Sequence, residues 1–209
     1  MRWYMALFLP IALHSGFAIV PDPSHPAPHP KQGIVELLME YLEVRYPSAP
    51  IKGDLLYVSV HRQALFHVRH GVLLKEYPIA TAKNGLGSRK DSYRTPTGLH
   101  RITAKIGDGV PLYGIFKDRK FTGAIADTAS GSEMDVITTR ILWLDGLEQG
   151  HNRGGDQDSR RRYIYIHGTA DEASIGKPSS MGCIRMRNHD VLELFDLVAV
   201  GVPVVILDN

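Results

Sequence analysis

The sequence predicts a mainly β domain, a sandwich or barrel, with a short N-terminal helix and a C-terminal helix. From Asp54 onward, six or so short segments rich in β-branched and aromatic residues alternate with turn-prone residues. One amphipathic stretch precedes these segments and another follows near the end of the chain. The length of 209 residues suits one domain plus a small appendage, with no internal repeat.

The first 32 residues are predicted to lie outside the folded domain. Residues 1–18 carry Arg2, an apolar run and the small-x-small pattern Gly16-Phe17-Ala18, which is typical of a secretory signal peptide. The run is too short for a bilayer span, so a permanent anchor is the weaker alternative. Residues 19–32 contain five prolines and are predicted to be an extended linker. We therefore expect export to the periplasm or cell envelope; whether the signal is cleaved stays open.

Residues 33–50 are predicted to form a helical cap, and residues 51–209 the main domain. The helical pattern comes from apolar residues at i, i+3, i+4, i+7 and i+8, namely Ile34, Leu37, Leu38, Tyr41 and Leu42. In the main domain, strands are predicted within DLLYVSV, ALFHVRH, VLLKEYPIAT, YRTPTGLHRITAKIG, DVITTRILWLDG, RRYIYIHGT and VPVVILD.

The segment NHDVLELFDLVAVG is predicted to be the C-terminal helix, with Asn188 as N-cap and Gly201 as stop signal. Between it and the strand RRYIYIHGT lies a loop, from about residue 169 to 187. Such a loop is held by a sheet at one end and a helix at the other, which is a common location for catalytic groups.

This loop contains Cys183, the only cysteine of the chain. In an oxidising compartment cysteines usually form disulfides, so a single thiol is either a small buried hydrophobe or a nucleophile. His167 ends the preceding strand, 16 residues earlier, and Gly176, Pro178 and Gly182 allow the chain to turn back. A neighbouring imidazolium lowers the pKa of a thiol and generates the reactive thiolate.

Other groups near the thiol suit the same chemistry. The backbone N–H groups of Gly182 and Cys183 are predicted to form an oxyanion hole. Arg185 keeps its charge and would either bind a substrate carboxylate or brace the loop; both roles remain open. The basic run from Ser159 to Arg162 would contact anionic polymers or phospholipid, although a solvated strand entry is the commoner explanation.

The segments IHGT and GKPSSMGCIRM resemble the signature of the bacterial L,D-transpeptidase catalytic domain, the YkuD family. That signature is a histidine, a gap of this order, Ser-His-Gly-Cys, a hydrophobic residue and Arg or Asn. YRTPTG at 93–98 also resembles a Thr-Pro-x-Gly turn of the family, and the likeness spans roughly residues 54–207. It implies an L,D-transpeptidase-like fold in which Cys183 is the nucleophile, His167 the general base, and Gly168 a carbonyl that orients the ring.

One position departs from the family pattern, because Met181 stands where a histidine commonly precedes the Gly-Cys pair. The change puts only a supporting imidazole in doubt, so we expect an altered rate or substrate preference before a loss of activity. Ser180 and Met181, together with Arg185, are predicted to contact substrate.

The resemblance implies an exported cysteine acyltransferase. Its thiol would attack the carbonyl between diaminopimelate and the terminal D-Ala of a peptidoglycan tetrapeptide stem, release D-Ala and leave a thioester. The acceptor would be an amine of another stem, a lipoprotein lysine, a free D-amino acid or water, and carbapenem β-lactams would be inhibitors. An L,D-carboxypeptidase and a non-catalytic peptidoglycan-binding module remain as alternatives.

Several partners are not expected. The chain has 24 Lys and Arg against 22 Asp and Glu, a net charge of +2, which gives no case for nucleic-acid binding. No cofactor is predicted. No metal site is predicted either, since Cys183 and His167 lack a third ligand by motif. A monomer is expected, although the sequence leaves the oligomeric state open.

Overall fold

The computed structural model describes residues 31–48, 51, 53–127 and 136–209. The predicted signal peptide and all but the end of the predicted linker lie outside the described residues. The described chain contains two helices, α1 (Gln32–Arg45) and α2 (Asn188–Leu197). Its strands are β1 (Asp54–Ser59), β2 (Ala64–Arg69), β3 (Val72–Ala80), β4 (Gly98–Ile106), β5 (Gly114–Lys117), β6 (Lys120–Ile125), β7 (Ile137–Gly146), β8 (Tyr165–Thr169), β9 (Ile184–Met186) and β10 (Pro203–Leu207). The predicted mainly β fold with two helices is confirmed.

The sheet closes on itself. The strand order is β4-β10-β1-β2-β3-β9-β8-β7-β5-β6, and β4 also pairs with β7. This extra pairing joins the first strand of the order to the eighth, so eight strands form a closed barrel from which the β5–β6 hairpin extends. Closure leaves these eight strands without a free edge. Neighbours are antiparallel except for the pairs β1–β10 and β8–β9, which are parallel.

Side chains alternate between the two faces of each strand, so the barrel has an inner core and a second core on its outer face. In β1, Leu56 and Val58 belong to an inner core to which all eight barrel strands contribute, whereas Leu55 and Tyr57 face outward. Helix α2 adds its apolar residues Val191, Leu194 and Phe195 to the inner core. Full burial of each such side chain stabilises the fold by about 1.5–3 kcal/mol. The inner core therefore fixes the position of α2 relative to the strands that precede it.

Helix α1 covers the outer face of β1 and β2 with three of the five predicted apolar residues, Ile34, Leu38 and Leu42. The buried residues are Val35, Leu38 and Leu42, while Leu37 is 68% exposed and Tyr41 is 41% exposed. Apolar residues lie on more than one side of this helix. The outward-facing residues of β1 and β2 determine which side is buried against the barrel.

None of the helices in the described chain is both long and apolar enough to cross a membrane.

Sequence reasoning missed three strands. Two of them, β5 and β6, form a hairpin between the predicted strand segments YRTPTGLHRITAKIG and DVITTRILWLDG. The third, β9, lies inside the segment predicted to be a loop. At three residues, β9 is too short to show alternation, and it forms because β3 and β8 flank it on either side. The N-cap prediction for Asn188 was also wrong: Asn188 is the first residue of α2 and its side chain is buried.

Candidate active site

The parallel pairing of β8 with β9 puts the predicted site residues on one face of the sheet. His167 is directly paired with Arg185. Cys183 precedes Arg185 by two residues and therefore points to the same side. Strand geometry separates the Cα atoms of Cys183 and His167 by about 8 Å along a diagonal of this face.

The ring of His167 is held in one orientation. Its Nδ1 lies 2.7 Å from the carbonyl oxygen of Gly168. A carbonyl only accepts hydrogen bonds, so Nδ1 carries a proton, and in the neutral ring Nε2 has the lone pair of a base. The side chain is 2% exposed, which limits other rotamers. The Gly168 carbonyl thus occupies the place that the family resemblance implies for it.

Gly168 cannot carry a side chain without a shift of its surroundings. A Cβ atom there would meet the Thr138 carbonyl oxygen at 2.7 Å and Asn188 Oδ1 at 2.8 Å. Both atoms belong to packed elements, β7 and α2. The glycine at this position is therefore required by the close approach of the two elements behind the histidine.

A buried polar network lies behind Gly168. Asn188 Nδ2 donates to the Thr169 carbonyl and to Glu172 Oε1, both at 2.7 Å. Its Oδ1 accepts from the hydroxyls of Thr138, at 2.6 Å, and Thr139, at 2.5 Å. Thr139 has φ of 63° at an irregular step in the pairing of β7, an unusual conformation for a β-branched residue. Satisfied buried networks are rigid, so this one fixes the backbone that orients the imidazole.

Cys183 is half-buried, with its sulfur at the edge of a small apolar cluster of Phe116, Ile141 and Tyr165. Sγ accepts from the Tyr165 backbone N–H at 3.4 Å, and the thiol donates to the Tyr163 carbonyl oxygen, also at 3.4 Å. This position differs from that of a fully buried structural cysteine. The N–H contact favours a negatively charged sulfur.

The loop that presents the thiol is braced from within. Ser180 is 3% exposed; its hydroxyl donates to the Cys183 carbonyl at 2.6 Å and accepts from the Gly182 N–H at 3.2 Å. Thr95 donates to the Gly182 carbonyl at 3.0 Å. These contacts make Ser180 a brace of the loop, and its predicted contact with substrate stays a prediction. Because the Gly182 N–H already has an acceptor, the oxyanion role of Gly182 and Cys183 stays a prediction.

Gly182 itself adopts φ of 125°, which non-glycine residues rarely do. Met181 is 61% exposed beside it and is free to contact a substrate. The predicted substrate contact of Met181 agrees with this exposure but stays a prediction.

Arg185 is 2% exposed and braces the loop through side chains. Its guanidinium donates to the hydroxyls of Ser174, at 3.2 Å, and Ser179, and it lies 3.7 Å from Asp171. Of the two predicted roles, bracing is the one its contacts support. The partners are hydroxyls and a carboxylate, and binding of substrate by Arg185 stays a prediction.

Arg162 is a functional candidate that sequence reasoning missed. It is half-buried and donates to the carbonyls of Gly87, at 3.2 Å, and Arg94, at 2.7 Å. Burial lowers the pKa of its guanidinium, and Coulombic attraction to Cys183 opposes that shift. The cation thus favours the thiolate form of Cys183. Arg162 and its exposed neighbour Arg161 belong to the same basic run and look alike in the sequence. Only the contacts of Arg162 with the segment 85–95 distinguish the two.

A second missed group is an aromatic wall beside the thiol, formed by Trp143, Tyr163 and Tyr165. The Trp143 and Tyr163 ring centroids are 5.9 Å apart, and those of Trp143 and Tyr165 are 5.7 Å apart with the rings at 81°. Arg119, at the tip of the β5–β6 hairpin, contacts two of the rings.

Across the described ranges, no three His, Cys, Asp or Glu side chains are grouped closely enough to hold a metal ion.

The fold and the site define a class of protein: a closed, mainly β domain that presents a cysteine and a histidine on one face of two parallel strands. The chain belongs to the YkuD family, the L,D-transpeptidase catalytic domain, whose family model matches residues 53–206. The family resemblance predicted from the sequence is confirmed.

The chain is also similar to a curated relative and to solved structures. The Bacillus subtilis protein YqjB, named provisionally as an L,D-transpeptidase, is 52% identical over 163 residues, which cover 77% of this chain and 75% of YqjB. An L,D-transpeptidase from Mycobacterium smegmatis has a TM-score of 0.45 and 16% identity over 74% of this chain and 58% of that one. L,D-transpeptidase 3 from Mycobacterium tuberculosis, solved in complex with a faropenem-derived adduct, has a TM-score of 0.46 and 15% identity over 75% and 60% of the two chains. The chain spans about three fifths of the length of these solved structures.

Proposed function

We propose that this chain is an exported cysteine acyltransferase that acts on peptidoglycan stem peptides as an L,D-transpeptidase. Membership of the YkuD family supports this class of reaction. The observation that carries the proposal is the shared face of β8 and β9. There His167, whose Nδ1 is committed to Gly168, offers Nε2 as a base on the side to which Cys183 points.

The first half of the reaction acylates the enzyme. The thiol proton of Cys183 passes to Nε2 of His167, and the thiolate attacks the carbonyl carbon between the L-centre of diaminopimelate and D-Ala. A C–S bond forms, the C–N bond breaks, and His167 returns the proton to the departing nitrogen. D-Ala leaves as the free amino acid, and the stem remains on Sγ as a thioester.

The second half transfers the stem. An acceptor amine attacks the thioester carbonyl and loses a proton to His167, a C–N bond forms, the C–S bond breaks, and the thiol of Cys183 is restored. We propose the side-chain amine of a second stem as acceptor, which gives a crosslink. With water as acceptor the same thioester would give L,D-carboxypeptidase activity.

The surroundings of the thiol support this role. The half-buried Arg162 and the Tyr165 N–H both favour the thiolate. A thiolate of this kind also attacks β-lactam carbonyls, so we propose carbapenems as covalent inhibitors. The predicted signal at residues 1–18 supports export to the periplasm or cell envelope, where a cell-wall substrate would be found.

The test is mass spectrometry of the purified protein with a defined tetrapeptide muropeptide. We expect release of D-Ala, a transient adduct on Cys183, and a crosslinked product. Cys183→Ser should keep the fold by circular dichroism and lose transfer. His167→Ala should lower acylation by a carbapenem by about 100-fold or more, because general base catalysis contributes about 10²–10⁴-fold.

The matched control is His61→Ala, since His61 is exposed in the turn after β1. It should acylate at the wild-type rate. Full turnover by Cys183→Ser would refute the cysteine mechanism, and hydrolysed stem as the sole product would replace transpeptidation by carboxypeptidation. Stem binding without any adduct would favour the non-catalytic binding module.

A further inference from the structure

Arg119 lies at the tip of the β5–β6 hairpin in a conformation that costs energy. Asp118 and Arg119, the two residues between the strands, have φ of 50° and 65°. Positive φ at both central residues defines the tight turn that suits the twist of a hairpin, but Gly and Asn adopt it most readily. An arginine held there indicates that its side chain has contacts that offset the cost.

Those contacts are with the aromatic wall. The Arg119 guanidinium carbon lies 5.1 Å from the Trp143 ring centroid and 4.9 Å from that of Tyr163. Nη1 also donates to the Tyr165 hydroxyl at 3.3 Å. Trp143 is in turn fixed by donation from Nε1 to the Arg160 carbonyl at 3.2 Å. The guanidinium is therefore pre-positioned, because stacking and one hydrogen bond restrict a side chain that is otherwise flexible.

The same wall holds the thiol. Tyr165 donates its backbone N–H to Cys183 Sγ, and the Tyr163 carbonyl lies 3.4 Å from that sulfur. Tyr163 itself has φ of 56° and remains 51% exposed. Arg119 and Cys183 thus contact the same two tyrosines, one through the side chains and the other through the backbone.

The guanidinium retains hydrogen-bonding capacity. Arginine has five N–H donors, and the contact with Tyr165 uses one of them. In the part of the chain that the structure describes, no carboxylate forms an ion pair with Arg119. A fixed guanidinium with donors to spare matches the planar, two-oxygen geometry of a carboxylate.

We propose that Arg119 docks a carboxylate of the donor stem and so selects acidic stems for attack by Cys183. This inference rests on the proposed function and adds a specificity-determining residue to it. A tetrapeptide stem offers three carboxylates, on D-Glu, on the D-centre of diaminopimelate and on the terminal D-Ala. All three have the chemistry that Arg119 recognises, and the experiment distinguishes them.

The experiment measures kcat and KM for D-Ala release with four donors: the fully acidic stem and three stems each amidated at one carboxylate. Arg119→Gln should raise KM for the acidic stem about 10- to 100-fold, as expected for loss of hydrogen bonds between charged groups, with little change in kcat. Amidation of the docked carboxylate should raise the wild-type KM by a similar factor and leave the KM of Arg119→Gln unchanged. This coupling identifies the carboxylate.

Two further variants complete the design. Lys120→Gln removes one charge from the same hairpin at an exposed position and should leave KM within about twofold, as is usual for exposed charges. Arg119→Lys keeps the charge without the planar fork and should give an intermediate KM. It also supplies the comparison if Arg119→Gln melts below the assay temperature.

Two results would overturn the inference. An Arg119→Gln variant that slows all four donors by the same factor would make Arg119 a brace of the hairpin and nothing more. Unchanged KM for the acidic stem would exclude docking altogether. A wild-type protein that releases D-Ala from none of the donors would instead refute the proposed function, and the inference with it.

Discussion

Substitution of Gly168 by alanine tests how the histidine is positioned. The added Cβ would lie 2.7 Å from the Thr138 carbonyl oxygen, whereas ordinary contacts begin at 3.4 Å, so β8 must move by about 0.7 Å relative to β7. Overpacking of this kind costs about 1–3 kcal/mol of unfolding free energy. The same shift moves the carbonyl that holds the His167 Nδ1 proton. Displacement of a catalytic group by 1 Å costs about 100-fold in rate, so we expect acylation to slow about 10- to 100-fold.

Urea denaturation and the rate of carbapenem adduct formation, followed by intact mass, measure the two effects. Gly33→Ala is the matched control, because Gly33 lies exposed in α1 with nothing within 4 Å of an added Cβ. Alanine there should leave acylation unchanged and raise stability by up to about 1 kcal/mol. If Gly168→Ala matches the wild type in both stability and acylation, the argument from close approach is refuted. A loss of stability without a change in acylation would separate the packing of Gly168 from the orientation of His167.

Two further predictions concern buried polar groups. Asn188→Ala removes the centre of the network behind Gly168 and should lower the unfolding free energy by about 2–4 kcal/mol in urea, whereas the exposed Asn84→Ala should change it by less than about 0.5 kcal/mol; equal effects of the two would contradict the network. Burial lowers the pKa of His100 from 6.5 to about 4. The unfolded chain therefore takes up this proton first, and stability should fall by about 3 kcal/mol as the pH drops from 6.5 to 4. NMR titration of the folded protein measures the pKa of His100. A midpoint near 6.5 would refute the predicted fall in stability.

The sequence predicts a nucleophile and a base for this site because these roles depend on residue types. A single thiol, a histidine at the end of a strand and glycines between them point to a nucleophile and base without any coordinates. The two predictions that failed near the site, the cap role of Asn188 and a loop throughout residues 169–187, depended on short elements. Neither a three-residue strand nor an inward-facing asparagine has a periodic signal.

The roles of the supporting residues needed the tertiary structure. Arg185 and Ser180 have side chains suited to binding substrate, yet both are buried and their partners lie within the loop. Arg119 and Arg162 look like exposed cations in the sequence. Their significance comes from aromatic rings and carbonyls that the barrel brings from distant segments.

The sequence by itself determined that this chain is a β-rich domain of the L,D-transpeptidase family, with a single cysteine in the segment that follows a strand ending near a histidine, because strand alternation and residue types are local properties. Only the tertiary structure decided that the strands close into a barrel, which residues brace the loop, and that Arg162 lies near the sulfur. These depend on pairings between residues far apart along the chain, such as β4 with β7 and β8 with β9. Such pairings are selected by burial and hydrogen bonding summed over the whole domain, so no single segment contains them.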